Sequence, residues 1–374
     1  MVISKIKSNS SSRISNCEKV LSELLREGKE CSVFSRAAAA VFGSDGYVCV
    51  ATHDVDDTFD LASITKVVTS VLAHKHLKLD HLLSTLNYRK SVSDILHHSS
   101  GLPAWKPYFA LASSYLGMPY ASLLNDQQLQ GKVKEFVLND LRTISLLSPK
   151  PTYSDIGYLA LGYEIEIVTQ KPPHELLLYT INPHFDIAGD KVVWGSPINT
   201  FVTTGVGRPR AGTPLPSFAT LKSVEIQPEA VDSKCDDDNA AVLGDAVGHA
   251  GLWANVSWVG ELGLRILQSR LGESSLLPES RAWDILRLHN NSGRTAGLNV
   301  DIDQGDTQIG SHLCKGVNAG GIQTGFTGGS ICLDTKLNVS IVLLSNAVKH
   351  ERPSSRIRLF RPHFHDSIAC VLNM

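Results

Sequence analysis

Strand-like segments lie near both ends of the chain, and the long middle is Leu-rich and helical in texture. Near the N-terminus, Val33–Phe42 and Tyr47–Ala51 are β-like runs separated by Gly43-Ser44-Asp45-Gly46, a hairpin turn signal. Near the C-terminus, Ser330–Leu333 and Val339–Ser345 read as strands with a turn over Asp334–Asn338. Each pair is flanked outward by a helical pattern. Ile14, Cys17, Val20, Leu21, Leu24 and Leu25 recur at helical spacing up to Arg26, with Gly28 as the stop. Ser354–Val371 predicts a C-terminal helix that Pro362 breaks or kinks. A chain that must pair strands from its two ends has few architectures open to it. This order predicts an α+β fold, with an antiparallel sheet flanked by the N- and C-terminal helices and a largely helical inserted subdomain on one edge.

The expected division is a disordered leader over 1–12, a subdomain built from 13–85 plus 241–374, and a mostly helical insert over 86–240. An apolar helix is expected from Ala62 to about Leu77, and an amphipathic one over Ser257–Arg270. Inside the insert, Ala121–Leu141 and Tyr158–Thr169 read as helices, between Pro-punctuated loops such as KPTY and GRPRAGTPLPS. No fixed-period repeat is visible.

With 374 residues, 43 % of them hydrophobic, the chain can bury a core without disulfide or metal staples. Lys+Arg is 35 against Asp+Glu 37, a formal charge of -2, which argues against nucleic-acid binding and a polybasic membrane anchor. The seven cysteines are widely spaced with no C-x-x-C, so a zinc ribbon, redox pair or disulfide framework is not expected. The first residues, MVISKIKSNSSSRIS, lack the apolar core of a signal peptide, and no run reaches the ~18 apolar residues of a membrane span. A soluble, cytoplasmic protein is expected. His97–His98 and His363/His365 have no carboxylate or cysteine partners at ligand spacing, so no metal is expected, nor any other cofactor.

The motifs exclude several chemistries. No G-x-S-x-G, P-loop or H-E-x-x-H occurs, and GVGRPR over 205–210 is a Pro-broken loop, not a dinucleotide fingerprint. What remains is Ser63-Ile64-Thr65-Lys66. Residues three apart share a helix face, so the Ser63 hydroxyl and Lys66 amine can meet at a helix start. A serine needs a nearby base to attack, and a lysine serves when its surroundings lower its pKa. Apolar Leu61, Ala62, Val67 and Val68 supply desolvation, and the helix N-terminus supplies a dipole that favours an oxyanion. Alone, S-x-x-K is a weak signal, and it recurs without meaning at Ser4–Lys7. Tyr153-Ser154-Asp155 sits at a loop-to-helix junction, where Tyr153 could share a proton and Asp155 could bind Lys66, bind a substrate amide, or cap the helix. Gln323-Thr324-Gly325-Phe326-Thr327-Gly328-Gly329 precedes a strand whose N–H groups could face a substrate.

These three elements in this order resemble the serine β-lactamase/penicillin-binding-protein superfamily, where S-x-x-K is followed by Y-x-N or S-D-N and then K-T-G. The segments FDLASITKVVTS, LHHSSGLPAW, TYSDIGYLALG, DDDNAAVLGDAVGHAGLW, TGFTGGSICLD and IVLLSNAVKHERPSS are similar to the class C β-lactamase-like serine hydrolases. That group includes family VIII esterases, D-aminopeptidases and D-Ala-D-Ala carboxypeptidases. The resemblance runs from about Val33 to the C-terminus. It implies Ser63 as acylated nucleophile, Lys66 as its base, Tyr153 as proton shuttle, and the N–H groups of Ser63 and Phe326 as oxyanion hole. It places Gln323, Thr324 and Gly325 at the K-T-G position and His249 as groove-lining or structural. Two positions depart from the pattern. Asp155 stands for the Asn of Y-x-N and could hold Lys66 protonated; Gln323 stands for a cation that would bind a substrate carboxylate. Both departures move against substrates bearing a carboxylate, so the expectation is an esterase-like serine hydrolase acting through an acyl-enzyme on a small, neutral ester or amide. A D-amino-acid peptidase or amidase, a penicillin-binding enzyme, and a catalytically weakened or silent scaffold of the same fold stay open.

Overall fold

The computed structural model describes residues 2–5, 11–43, 48–53, 57–146, 150–186, 192–195, 201–205, 210, 234–244, 246–289, 292–298, 308–316, 318–352 and 354–373. The chain opens with strand β1 (Val2–Lys5), helix α1 (Ser11–Glu30), strands β2 (Ala37–Gly43), β3 (Val48–Thr52) and β4 (Phe59–Asp60), and helix α2 (Thr65–His76). The middle carries α3 (Val92–Leu96), α4 (Tyr108–Leu116), α5 (Tyr120–Asn125), α6 (Gln127–Thr143), α7 (Asp155–Thr169), α8 (Pro173–Leu176), β5 (Val192–Trp194) and α9 (Asp238–Val242). The last part holds β6 (Leu252–Ala254), α10 (Val256–Ser269), α11 (Glu279–Leu286), β7 (Gly320–Thr324), β8 (Ser330–Asp334), β9 (Val339–Ser345) and α12 (Ser355–Leu372).

The main sheet runs β1-β3-β2-β9-β8-β7, antiparallel at every pairing. Its central pairing joins the two chain ends, with Ala37 opposite Ser345 and Gly43 opposite Val339. Both faces are covered, so the strands alternate between two apolar layers rather than between core and water. Ala38, Ala40 and Phe42 of β2 and Val342 and Leu344 of β9 join the layer that includes α2, α7 and α10. Ala37, Ala39, Val41, Ile341 and Leu343 join the layer of α1 and α12, filled by Cys17, Leu21, Leu25, Phe360 and Phe364. Helix α10 lies close on the sheet because it presents Gly260 and Gly263. A Cβ at Gly260 would stand 2.2 Å from the Phe42 ring, and one at Gly263 2.5 Å from Leu333. The α+β sheet flanked by terminal helices is therefore the observed arrangement.

Several local expectations are corrected. The leader expected to be disordered carries β1, paired with β3, and α1 begins at Ser11. Gly28 does not stop α1. The helix continues to Glu30, and Gly28 makes room for the Phe34 ring, 2.2 Å from where its Cβ would stand. The helix expected over Ala121–Leu141 is two. Asp126 ends α5 and caps α6, its side chain accepting from the Gln128 and Leu129 N–H groups at 2.8 and 3.1 Å. The stretch expected to be a helical insert also supplies β5, which completes a small sheet ordered β4-β6-β5. Helix α12 runs through Pro362. The carbonyl deprived of a helical donor by that proline, Arg358 O, accepts instead from Gln308 Nε2 at 3.4 Å. The turn over 44–46 and all of the loop 207–217 except Arg210 lie outside the described residues. Among the described residues no helix is long and apolar enough to cross a membrane.

Candidate active site

Three segments meet at Ser63. The first is the junction of β4 and α2, where Asp60 Oδ1 accepts from Ala62 N at 2.8 Å. Ala62 adopts φ +45, a region that L residues with a Cβ enter at some cost in strain. That turn leads into a short 3-10 segment, Ala62–Ile64, and then α2. Lys66, one turn past Ser63, is wholly buried, and its Nζ donates to Ser63 Oγ at 2.8 Å. It also donates to His249 O at 3.3 Å and forms an ion pair with Asp155 Oδ1 at 2.7 Å.

The second segment enters α7. Ser154, not Asp155, is the N-cap: its hydroxyl accepts from Gly157 N at 3.0 Å and donates to Pro103 O at 2.6 Å. The stretch 98–104 clamps this entry further. Ser154 N donates to His98 Nδ1 at 3.0 Å, Thr152 N to His98 O at 3.0 Å, and Asp155 N to Ala104 O at 2.8 Å. His98, at φ +54, stacks its ring 4.4 Å from that of Tyr153. Burial, with Lys66 and Arg294 nearby, holds its pKa well below the usual histidine range, so a neutral ring accepts from Ser154. In the sequence, His98 stands out only as half of a histidine pair. Its clamping role depends on contacts across sequence-distant loops. Tyr153 lies with its ring 5.0 Å from Lys66 Nζ.

The third segment is β7 and the turn after it. Gln323 is buried and donates from Nε2 to the Tyr153 hydroxyl at 3.2 Å. Thr324 ends the strand opposite Ser330. Gly325 is needed where it stands, because a Cβ there would lie 2.6 Å from Leu61 O. Phe326 is 52 % exposed at the tip. The turn is tied down from both sides. Thr327 Oγ1 donates to Asp60 O at 2.8 Å, while Arg361 of α12 donates to Gly325 O and Gly329 O at 2.8 and 3.0 Å. Burial, assisted by Arg358, brings the Arg361 pKa down to about 9. The segments bearing the two oxyanion candidates, Ser63 and Phe326, are thus braced against each other.

His249 lies beside the Lys66 amine. It is buried, with Nε2 3.4 Å from Asp237 Oδ1, and it serves the site through its carbonyl on Lys66. Burial would raise the Asp237 pKa, but His249, the Ala240 N–H and Lys66 bring it to about 2.

Two opposed effects decide the charge on Lys66. Burial pulls its pKa down, but the carboxylate of Asp155, with Tyr153, outweighs that and raises it above the ordinary lysine value. At neutral pH the amine is an ammonium that donates to Ser63. Two further cations stand close by. The Arg294 guanidinium lies 5.6 Å from the Tyr153 ring, and that of Arg352 lies 4.9 Å from the Phe326 ring while pairing with both Asp236 oxygens. The histidine pairs are placed otherwise. His97 stacks on His289 at 4.3 Å, His365 meets Ser330 Oγ at 3.2 Å, and His363 meets Glu27 at the surface. Among the described residues no group of His, Cys, Asp and Glu is arranged to hold a metal ion.

The sequence profile of the Beta-lactamase family matches residues 35–361, most of the chain. The chain belongs to the β-lactamase family. The N-acetylmuramyl-L-alanine amidase of Bacillus subtilis (strain 168) is similar to this β-lactamase-family chain, 27 % identical over 321 residues that span 77 % of the chain and 67 % of the amidase. Among solved structures, EstCE1, described as a hydrolase with promiscuous acyltransferase activity, superposes with TM-score 0.64 at 16 % identity, covering 94 % of this chain and all of that one. The D-amino acid amidase of Ochrobactrum anthropi SV3 superposes with TM-score 0.60 at 17 % identity, covering 97 % and 98 %. At such identities these structures share the β-lactamase fold with this chain.

Proposed function

We propose that the chain is a serine hydrolase that cleaves small esters or amides through an acyl-enzyme on Ser63. The observation that carries this reading is the buried Lys66 amine 2.8 Å from the Ser63 hydroxyl, at the start of the same helix. In the proposed cycle, Ser63 Oγ attacks the substrate carbonyl and its proton passes to Lys66 once that amine is neutral. The N–H groups of Ser63 and Phe326 receive the developing oxyanion. Tyr153 hands a proton to the leaving alcohol or amine and later takes one from the water that frees Ser63. Asp155 tunes the step by setting the charge on Lys66, and Gln323 orients the Tyr153 hydroxyl.

The sequence relative named as an amidase favours amides as a second substrate class. The Asp155–Lys66 pair at 2.7 Å, with the neutral Gln323 in place of a cation, favours a silent scaffold, since an ammonium cannot take the serine proton. A fluorophosphonate probe and a short p-nitrophenyl ester separate these readings. The wild type is expected to be labelled and to turn over the ester, while Ser63→Ala does neither. Equal performance of Ser63→Ala would refute the mechanism, and an unlabelled wild type would favour the scaffold.

A further inference from the structure

The reaction proposed above needs the N–H groups of Ser63 and Phe326 at a fixed separation, because an oxyanion gains most from donors already in place. The two groups lie far apart in the chain, on separate turns. Asp60 touches both turns and lies outside the three motifs.

Asp60 ends β4, is buried, and pairs with Trp253 of β6 in the small sheet. Its backbone carbonyl accepts from Thr327 Oγ1 at 2.8 Å, one residue past Phe326. Its side chain serves the other turn. Oδ1 accepts from Ala62 N at 2.8 Å, one residue before Ser63, and Oδ2 accepts from Asp236 N. Between these contacts, Leu61 O lies so close under Gly325 that a Cβ there would stand 2.6 Å away. The oxyanion turn therefore rests on the backbone of residues 60 and 61, and the Asp60 side chain decides how that backbone enters Ser63.

The Ala62 contact opposes a strain. Ala62 stands at φ +45, where a residue with a Cβ is disfavoured. A hydrogen bond from its N–H to a carboxylate oxygen is a strong one, and it holds the residue there. The second oxygen links Asp60 to the Asp236 backbone. The Asp236 carboxylate takes bonds from Arg352 at 2.8 and 2.7 Å, and the Arg352 guanidinium lies 4.9 Å from the Phe326 ring. Asp60 thus reaches the oxyanion turn by two routes: through Thr327, and through Asp236 and Arg352.

We propose that Asp60 is a positioning residue for acyl transfer: its carboxylate holds Ala62 in the strained turn and so sets the Ser63 N–H in register with that of Phe326. This rests on the serine-hydrolase reading above and adds to it the group that ties the nucleophile turn to the oxyanion turn. Asp60 touches no substrate; it acts through Ala62 and Thr327.

The test uses the full chain as wild type, Asp60→Ala, Asp60→Asn, Ala62→Gly and the double variant Asp60→Ala with Ala62→Gly. Turnover of p-nitrophenyl butyrate gives kcat and KM. Hydrogen exchange read by mass spectrometry follows peptides covering 59–66, 323–330 and, as a control, α10. For Asp60→Ala, kcat is expected to fall about ten- to a hundredfold with KM within about twofold. Peptides 59–66 and 323–330 should exchange faster together while α10 holds. Asp60→Asn keeps an oxygen for Ala62 but sets an amide N–H against Asp236 N, so its kcat should fall by about threefold or more. It also carries the test if Asp60→Ala does not fold. Adding Ala62→Gly to Asp60→Ala should recover part of kcat, because glycine adopts a positive φ without a partner to hold it. A plain structural support would show no such recovery. Wild-type kcat in folded Asp60→Asn, no recovery in the double variant, or faster exchange confined to 59–66 would each overturn the proposal. If the wild type neither turns over the ester nor takes a fluorophosphonate on Ser63, the hydrolase reading fails. Exchange then decides alone: joint loss of protection in the two turns upholds Asp60 as their tie, and its absence overturns that.

Discussion

At the scale of single residues, the charge at the candidate site is set by the Lys66–Asp155 pair. Asp155 keeps Lys66 a donor, which in the proposed cycle works against its role as the base. For Asp155→Asn, burial no longer meets an opposing carboxylate, so the Lys66 pKa falls and more of it is neutral at a given pH. The alkaline-rising limb of kcat/KM on a neutral ester is expected to move to lower pH, with roughly tenfold higher activity near neutrality. An unmoved limb would show that Lys66 is not the titrating base. Stability moves with the same sign rule. A raised lysine pKa stabilises fully below the unfolded value of about 10.4, and that contribution fades as pH climbs through the folded value. Thermal melts of wild type should therefore lose ground at strongly alkaline pH more steeply than those of Asp155→Asn. The sequence made Ser63, Lys66 and Tyr153 legible because their spacing and order form a motif. It could not display His98 or Arg294, which reach Tyr153 only through loops brought together by the fold.

At the scale of elements, the site depends on how closely neighbours approach. Gly248 meets α7 so tightly that a Cβ would stand 2.1 Å from Tyr158 O, a backbone atom that cannot step aside. Gly248→Ala is expected to cost about 1–3 kcal/mol in denaturant unfolding and to draw the neighbouring His249 carbonyl off Lys66, lowering kcat. Arg361 matters as a brace across elements, from α12 to the turn after β7. Arg361→Met leaves the Gly325 and Gly329 carbonyls without their guanidinium donor, at about 3 kcal/mol. If Phe326 N–H serves the oxyanion as proposed, a loosened turn would then appear as lower kcat with little change in KM. Helix and strand positions were largely readable from periodicity, as Val339–Ser345 shows. Boundaries failed where tertiary contacts decide them: Gly28 serves the Phe34 ring rather than ending α1, and Gln308 supplies a donor that lets α12 pass Pro362.

At the scale of the whole molecule, the central pairing of β2 with β9 joins the two ends of the chain, so the main sheet cannot close until nearly all of it is made. Removing residues 339–374 is expected to abolish cooperative unfolding, not merely to shift its midpoint, because β2 and β8 lose the strand between them. A truncated chain that still unfolds cooperatively would contradict this account of the core. The α+β class was legible from strand pairs at both ends, whereas β1 and β5 are too short and too dependent on their partners to be seen in sequence. The architecture matters because it brings Ser63 and Lys66, Tyr153 and Asp155, and Gln323 from three distant segments to one point. Whether that point performs acyl transfer is tested most directly by intact-mass spectrometry after rapid acid quench of the protein with an activated ester. The account predicts a mass increase of one acyl group, mapped by peptide digestion to Ser63 and absent from Ser63→Ala. An unmodified wild type, or an acyl group that persists in Ser63→Ala, would contradict it.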